Sequence, residues 1–185
     1  MQIPLLQLLF TTIALAVECQ FPEGQVPTAA DCGILVNTIS VIIATQPAQD
    51  RPQLYGRRQI DSATTVKLPR VWQLEDPFGP PNSCAILITT PDNDLWGEET
   101  LRLTNVMNGG HRVLDTCLRP QSLLGFDFPG TEHKVLTSLE RATHRPRLGS
   151  RLGEEGFLEG RETYRNGTQR LMVYAPPDVA SLDIL

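Results

Sequence analysis

Apolar residues follow a helical spacing in residues 29–45, AADCGILVNTISVIIAT. Thr28, with Asp31 three residues later, approximates a capping box at the start of this stretch, and Pro47 ends it. The spacing predicts a helix that packs on an apolar surface. The apolar stripe consists of Cys32, Leu35, Val36, Ile39, Ile42 and Ile43.

A second helical stripe runs from Leu103 to Cys117. Gly109 and Gly110 interrupt it, and each glycine in a helix interior costs about 1 kcal/mol relative to alanine. Two interpretations are open: one long helix whose glycines allow close approach to a sheet, or a helix that starts only after Gly110. The continuity of the stripe favours the single helix.

Three shorter stretches have the composition of β-strands. Val66–Leu74 contains Pro69, which favours an edge strand or a bulged strand. Cys84–Thr89 is apolar on both faces, as expected for a central strand, and His133–Arg141 alternates between apolar and polar positions. This order of elements predicts an α+β fold, with two helices packed on one face of a small antiparallel or mixed sheet.

The composition divides the chain into three segments. Residues 1–16 form an apolar run that ends in Ala14-Leu15-Ala16, which predicts a secretory signal peptide shorter than the roughly 20 residues of a spanning helix. Residues 17–141 carry the predicted elements and form one domain. Residues 142–185 are rich in Arg, Glu and Gly, which predicts a largely disordered tail, although residues 170–174 are β-prone.

The four cysteines, Cys19, Cys32, Cys84 and Cys117, all follow the predicted cleavage position. An even number of cysteines in an exported chain indicates disulfides, and four cysteines permit three pairings. Their positions on the predicted elements favour Cys32 with Cys84 and Cys19 with Cys117, while Cys32 with Cys117 stays open as an alternative. No two cysteines have the C-x-x-C spacing of zinc sites, so we expect no metal and no cofactor.

No stretch matches a catalytic signature. His111, His133 and His144 form no metalloprotease motif, and Gly149–Gly153 does not match a nucleophile elbow. We therefore expect no catalytic residue.

The acidic loop at residues 91–99 is the best candidate for chemistry. Asp92 and Asp94 match two positions of a calcium loop, but Trp96 and Leu103 stand where oxygen ligands are required. Turn formation is the simpler role of the two aspartates.

Other residues bear on partners and modification. Trp72, Trp96 and Tyr55 offer an aromatic platform for a sugar or a protein, although packing is the more common role of such residues. Asn166 begins an N-glycosylation sequon. Nucleic-acid binding requires a clustered basic face, whereas this chain has a net charge of −5. Nucleic acid is therefore not an expected partner.

The motifs between Cys19 and Arg141 resemble those of small secreted fungal proteins with an effector-like format. They are AADC at the start of a helix, YGRR before KLPRVWQL, then SCAILI, and VLDTCL before FDFPG and HKVLTSLER. The resemblance omits the tail. It implies a disulfide-stabilised extracellular protein without a known catalytic residue.

These observations predict a secreted, non-enzymatic interaction protein that acts outside the cell on a host or cell-wall target. The expected partner is an unknown extracellular protein or a polysaccharide, with no membrane association after removal of the signal. The alternative is a small extracellular hydrolase, which requires two or more acid–base groups to converge in a cleft. Its candidate groups are Asp92, Asp94, Glu98, Glu99, Asp115 and His111.

Overall fold

Two helices and two β-sheets make up the part of the chain that the computed structural model describes, residues 17–21, 25–58, 65–76, 82–94, 96–143, 158–167 and 169–176. The predicted α+β class is confirmed. The helices are α1 (Ala29–Thr45) and α2 (Leu103–Val113). The strands, in chain order, are β1 (Glu18–Gln20), β2 (Gln53–Gly56), β3 (Thr65–Lys67), β4 (Arg70–Glu75), β5 (Cys84–Thr89), β6 (Glu99–Leu101), β7 (Leu124–Asp127), β8 (Leu136–Arg141), β9 (Glu159–Asn166) and β10 (Gln169–Ala175).

The larger sheet has seven strands in the order β1-β7-β8-β5-β4-β10-β9, and every neighbouring pair is antiparallel. The smaller sheet is mixed, because β2 lies parallel to β3 and antiparallel to β6. α1 packs against β5, α2 packs against β7 and β8, and the two helices contact each other. Both helices therefore cover one face of the larger sheet, where the main core lies.

α1 begins and ends where the sequence predicts. The Oγ1 of Thr28 accepts a hydrogen bond from the backbone N–H of Asp31 (3.1 Å), so Thr28 is the N-cap. The Asp31 carboxylate accepts the backbone N–H of Ser83 (3.0 Å), which joins the helix to the start of β5. Partial burial works to raise the pKa of Asp31, but the hydrogen bonds from Ser83 and Thr28 outweigh it and the pKa is lowered.

α2 continues through both glycines, so the single-helix interpretation is confirmed. At Gly109 an added Cβ would lie 3.1 Å from Oδ2 of Asp127, which shows how closely the helix approaches the sheet. After Val113 the chain continues as a π-helical turn, Leu114–Leu118, and a short α-helical turn, Arg119–Gln121. The helical segment thus carries Cys117 on its buried side.

The favoured disulfide pairing is confirmed. Cys32–Cys84 joins α1 to β5, with the two Cα atoms 5.1 Å apart, and Cys19–Cys117 joins β1 to the helical segment after α2, with 5.4 Å between Cα atoms. Gly125 allows the second bridge, because a Cβ at this position would lie 2.7 Å from the Sγ of Cys117. The alternative pairing of Cys32 with Cys117 is wrong.

β4 is not the edge or bulged strand that Pro69 suggests. It lies between β5 and β10, and both of its edges are paired. Pro69 falls in the bend between β3 and β4, which belong to different sheets. Because the proline precedes the strand, it removes no ladder hydrogen bond from β4.

The described residues 158–167 and 169–176 depart from the predicted disordered tail. β9 and β10 form an antiparallel hairpin, and β10 pairs with β4 from Arg170 to Tyr174. Leu171 is 2% exposed in the main core, so the hairpin belongs to the folded domain. The prediction was wrong for β9, because its Arg- and Glu-rich composition carries little apolar signal, whereas β10 contains the β-prone residues 170–174.

The face of the larger sheet away from the helices carries a smaller apolar cluster of Val71, Ala85, Leu158 and Tyr174. Glu140 pairs across the sheet with Ala85 and lies on the same face. Burial raises the pKa of Glu140, and the hydrogen bond that the Ser138 hydroxyl donates (3.0 Å) opposes this shift.

Several sequence predictions fall on residues outside the described part of the chain. These are the signal peptide at 1–16 and the tail segments 144–157 and 177–185, together with His144 and Gly149–Gly153. Within the described ranges, no helix has the length and apolar character needed to cross a membrane.

Candidate functional site

A groove of about 690 Å³ opens between α1, the β3–β4 segment and the β9–β10 hairpin. Its volume falls within the roughly 300–1,000 Å³ of ligand sites in proteins. One wall is apolar, since it is built from the buried faces of the two helices and of β4 and β10. The apolar lining consists of Ile39, Ile42, Trp72, Leu103, Leu171 and Val173.

The charged lining of the groove is mainly cationic. Lys67, Arg70 and Arg161 line it together with one carboxylate, Glu162, so the formal charge of the lining is +2. The whole chain has a net charge of −5, and the groove therefore carries the opposite sign to the protein around it. Such a reversal favours anionic ligands over cationic ones.

Glu162 forms ion pairs with two arginines that do not line the groove. Its carboxylate accepts a hydrogen bond from Nη2 of Arg165 (2.9 Å) and lies 3.6 Å from Nε of Arg170. The hydrogen bond from Arg165 lowers the pKa of Glu162. Glu162 therefore cancels little of the positive charge of the groove.

Three lining residues stand in one row across three strands. Arg161 on β9 is the cross-strand partner of Val173 on β10, and Val173 is the partner of Trp72 on β4. Directly opposed residues in antiparallel strands place their side chains on the same face of the sheet. The row thus runs from a cationic side chain through an aliphatic one to an aromatic one.

Trp72 has an unsatisfied donor. The side chain is 7% exposed, and its indole Nε1 is buried without a hydrogen-bond partner among the residues described. A buried donor without an acceptor costs about 1–3 kcal/mol. Trp72 is therefore placed in the groove wall with hydrogen-bonding capacity that the described fold does not use.

The acidic loop forms turns and contacts that support the fold. The backbone N–H of Asp94 donates to Pro91 O (3.0 Å), and the N–H of Gly97 donates to Asp94 O (3.0 Å). Glu99 lies in β6 and is 4% exposed; its carboxylate accepts the backbone N–H groups of Glu132 (2.8 Å) and Lys134 (3.2 Å). Both oxygens of Glu99 are thus engaged in holding the loop before β8.

The other proposed acid–base groups lie on separate elements. Glu98 packs over Gly56 of β2: a Cβ added at Gly56 would lie 2.7 Å from Cγ of Glu98. Asp115 is exposed and forms an ion pair with Arg119 one helical turn later. His111 lies in the last turn of α2. Among the described residues, no group of three or more His, Cys, Asp or Glu side chains is arranged to hold a metal ion.

The three residues of the proposed aromatic platform are distributed over different elements. Trp72 lines the groove, Trp96 is 56% exposed in the turn before β6, and Tyr55 is buried in the smaller sheet. Burial raises the pKa of Tyr55 to about 12, against the opposing charge of Arg70. The described ring contacts instead connect Phe126 with Phe128 and Phe128 with His133, at centroid distances of 5.7 and 5.3 Å.

Asn166 ends β9 and is exposed at the tip of the hairpin. Gly167 follows it with φ of +62°, a left-handed conformation that glycine adopts without strain. An exposed hairpin tip is sterically accessible for the glycosylation that the sequon suggests. Thr168, the third residue of the sequon, lies outside the described residues.

Comparison with protein families, with curated proteins and with solved structures finds no match to this chain.

Sequence reasoning missed the groove. Its lining residues extend from Ile39 to Pro176 and belong to elements that are distant in the sequence. Among these lining residues, the sequence suggests a binding role for Trp72 alone, as part of the aromatic platform, whereas Ile39, Ile42 and Leu103 belong to the helical stripes. A local signal existed for one wall, because Asn166-Gly167 is a dipeptide typical of hairpin turns.

Proposed function

We propose that the protein is secreted, effector-like and non-enzymatic, and that it acts outside the cell by binding a host or cell-wall component in this groove. The observation that carries the proposal is the groove itself, with its apolar wall and cationic lining. The two disulfides are compatible with an extracellular protein. The resemblance of the motifs between Cys19 and Arg141 to those of small secreted fungal proteins supports the same assignment.

The charge of the groove narrows the class of partner. A cationic recess in an acidic protein attracts negatively charged groups and disfavours basic ones. The proposed partner is therefore an extracellular protein or polysaccharide that presents carboxylate or phosphate groups.

The test uses full-length, oxidised protein recovered from culture medium and immobilised on a support. It is exposed to solubilised cell-wall polysaccharide and to extracellular protein, and the retained material is quantified. Arg161→Gln removes a charge from the groove, and Arg119→Gln makes the same chemical change at an exposed position outside it.

We expect the unmodified protein and Arg119→Gln to retain the same component, and Arg161→Gln to retain several-fold less. Higher salt should weaken retention, because exposed charges are screened. Equal retention by both variants, or retention of nothing by the unmodified protein, would contradict the proposal.

The hydrolase alternative has weaker support. The carboxylate of Glu99 is engaged by two backbone N–H groups, and Asp115 forms a surface ion pair. A hydrolase would release soluble sugar from a polysaccharide, and Glu98→Gln or Asp94→Asn would abolish that release without changing retention. Turnover with this dependence would replace the binding proposal.

A further inference from the structure

We propose that the exposed side of α1 binds the same side of α1 in a second copy of this chain, with the two helices antiparallel. The contact surface, named here the α1 seam, consists of Ile34, Thr38, Val41 and Thr45. None of these residues lines the groove, so the proposal goes beyond the proposed function. Three features of the helix carry it: the spacing of the seam, the lack of charge around it and its fit to itself.

The first feature is the exposure and spacing of the seam. The side chains of Ile34 and Val41 are 46% and 50% exposed, and these two residues lie seven positions apart on α1. Thr38 and Thr45 follow them, each four positions later. Steps of four, three and four residues are those of the a and d positions in a heptad repeat. The four side chains therefore form one stripe along the helix, which is the pattern of a helix that pairs with another helix.

The two threonines of the seam have hydroxyl groups that are already engaged within α1. Oγ1 of Thr38 donates to the backbone oxygen of Ile34, and Oγ1 of Thr45 donates to that of Val41, both at 2.8 Å. Burial of the threonines at an interface therefore leaves neither hydroxyl without a hydrogen bond. All four seam residues branch at Cβ and have few rotamers in a helix, so ordering them costs little side-chain entropy.

The second feature is the lack of charge on this side of α1. Asp31 is the one charged residue between Ala29 and Thr45, and its carboxylate accepts the backbone N–H of Ser83. Because the chain has a net charge of −5, two copies repel each other over much of their surface. The α1 seam lets identical copies meet without bringing like charges together. The exposed residues beside the seam are also uncharged, and they are Ala30, Asn37 and Ala44.

The third feature is the fit of the seam to itself. When α1 crosses its copy antiparallel at the midpoint of the seam, Ile34 lies opposite Thr45 of the second copy. Thr38 then lies opposite Val41 of the second copy. Each aliphatic side chain meets a threonine, and every contact occurs twice, as a two-fold symmetric interface requires.

The charges near the ends of α1 favour the antiparallel arrangement. The last turn of α1, the negative end of the helix dipole, contains no basic residue. Arg119 lies beside the other end of the helix, with Nη2 3.9 Å from the position of a Cβ added at Gly33. In the antiparallel register, Gly33 is level with Gln46 of the second copy, so Arg119 reaches the end that lacks a base. Arg119 also pairs with Asp115, but its side chain is 58% exposed and its guanidinium has further N–H groups to donate.

The experiment measures the molar mass of the oxidised full-length protein by sedimentation equilibrium over a wide range of concentrations. We expect a reversible monomer–dimer equilibrium. Val41→Lys introduces an unpaired charge into the seam and should weaken dimerisation by at least about tenfold. Trp96→Lys is the matched control, because it places the same charge at another exposed apolar side chain, and it should leave dimerisation unchanged. Circular dichroism verifies that both variants keep the fold.

A pair of variants with opposite charges tests the register. Ile34→Lys and Thr45→Glu should each weaken dimerisation by at least about tenfold when studied alone. An equimolar mixture of the two should associate more strongly than either variant, because the introduced charges lie opposite each other in the antiparallel pair. In a parallel pair these two positions are at different levels, and mixing would restore nothing.

The outcomes that overturn the proposal are distinct. A monomer at every concentration removes the second copy as the occupant, and a different macromolecule would then be the candidate for this side of α1. A dimer that Val41→Lys does not weaken, or that Trp96→Lys weakens equally, is not formed through the seam. A mixture of Ile34→Lys and Thr45→Glu that fails to associate overturns the antiparallel register. These results are independent of the retention experiment, since the substituted residues do not line the groove.

Discussion

The two edges of the seven-stranded sheet are held in different ways. At the β1 edge, a disulfide joins Cys19 to Cys117, and the buried Asp127 of the neighbouring strand pairs with Arg112 of α2. At the β9 edge, the hairpin is attached by strand pairing with β4 and by the packing of Leu171. The first edge is tightly filled, and the second borders the groove.

This difference separates an edge fixed by a covalent bond from an edge held by strand pairing and packing. A disulfide limits the conformational freedom of the unfolded chain and thereby stabilises the fold. The strand β4, which lines the groove, carries one feature that costs stability, the buried indole N–H of Trp72 without an acceptor among the described residues. In the proposed function, this side of the sheet is the one that binds a ligand.

The largest expected effect concerns the disulfides, of which Cys19–Cys117 lies at the β1 edge and Cys32–Cys84 joins α1 to the central strand β5. Replacing both Cys32 and Cys84 by alanine should lower the free energy of unfolding by about 3–5 kcal/mol, because the bridge closes a separation of 52 residues and both cysteines are fully buried. Chemical denaturation of the oxidised proteins measures the difference. The Cys19 and Cys117 pair spans 98 residues, but Cys19 is only partly buried on a three-residue strand.

If packing of the bridged residues governs the stabilisation, the Cys19/Cys117 double variant loses less than the Cys32/Cys84 one. A larger loss for the pair with the longer separation would show that chain entropy outweighs packing.

The ion pair beside the β1 edge provides the second test. Asp127 is 1% exposed, and its carboxylate accepts a hydrogen bond from Nε of Arg112 (3.1 Å). Asp127→Asn should therefore lower the free energy of unfolding by about 3 kcal/mol. Asp115→Asn disrupts the exposed pair with Arg119 and should cost less than about 1 kcal/mol. Thermal and urea unfolding compare the two variants. Equal decreases in the free energy of unfolding would contradict the prediction, because the buried pair of Asp127 would then stabilise the fold no more than the exposed pair of Asp115.

A change at the opposite edge probes the attachment of the hairpin. Leu171→Ala removes a buried side chain and should cost about 2–3 kcal/mol. Because Leu171 lines the groove beside Trp72, the emission of Trp72 in a Trp96→Phe background should shift to longer wavelength. Unchanged stability and unchanged emission would mean that β10 contributes little to the folded domain.

The smallest expected effect concerns Glu140. Burial raises its pKa in the folded protein, so its contribution to stability is complete below the unfolded pKa and is lost as pH rises through the folded value. Glu140→Gln should therefore raise the melting temperature at pH 7 and match the unmodified protein at pH 3. Glu132→Gln, at an exposed position, should leave the melting temperature unchanged at both pH values.

The elements that the sequence predicts well are those with strong local periodicity. α1 shows a stripe, a cap and a terminating proline, and the structure reproduces each of them. The short strands β1, β3 and β6 contain three residues each, which is too few to display an alternation. Their positions follow from pairing with distant strands, and that pairing has no local signature.

The hairpin and the groove show why the rest of the molecule is harder to predict. The buried residues of β10, Leu171 and Tyr174, lie three positions apart and belong to clusters on opposite faces of the sheet, so β10 shows no simple alternation. Its partner β9 is rich in charged residues. Asn166-Gly167 begins the glycosylation sequon, and the same dipeptide is typical of hairpins. The groove depends on the cross-strand register of Arg161, Val173 and Trp72, which exists only in the folded sheet.

The most direct test of the groove as an anion site is the NMR resonance of the Trp72 indole N–H. Full-length protein labelled with ¹⁵N contains two tryptophans, and Trp96, exposed outside the groove, serves as an internal control. On titration with a solubilised acidic cell-wall polysaccharide, the Trp72 indole signal should shift and saturate, while the Trp96 signal stays in place. A stationary Trp72 signal, or equal movement of both signals, would contradict the assignment of the groove as the binding site.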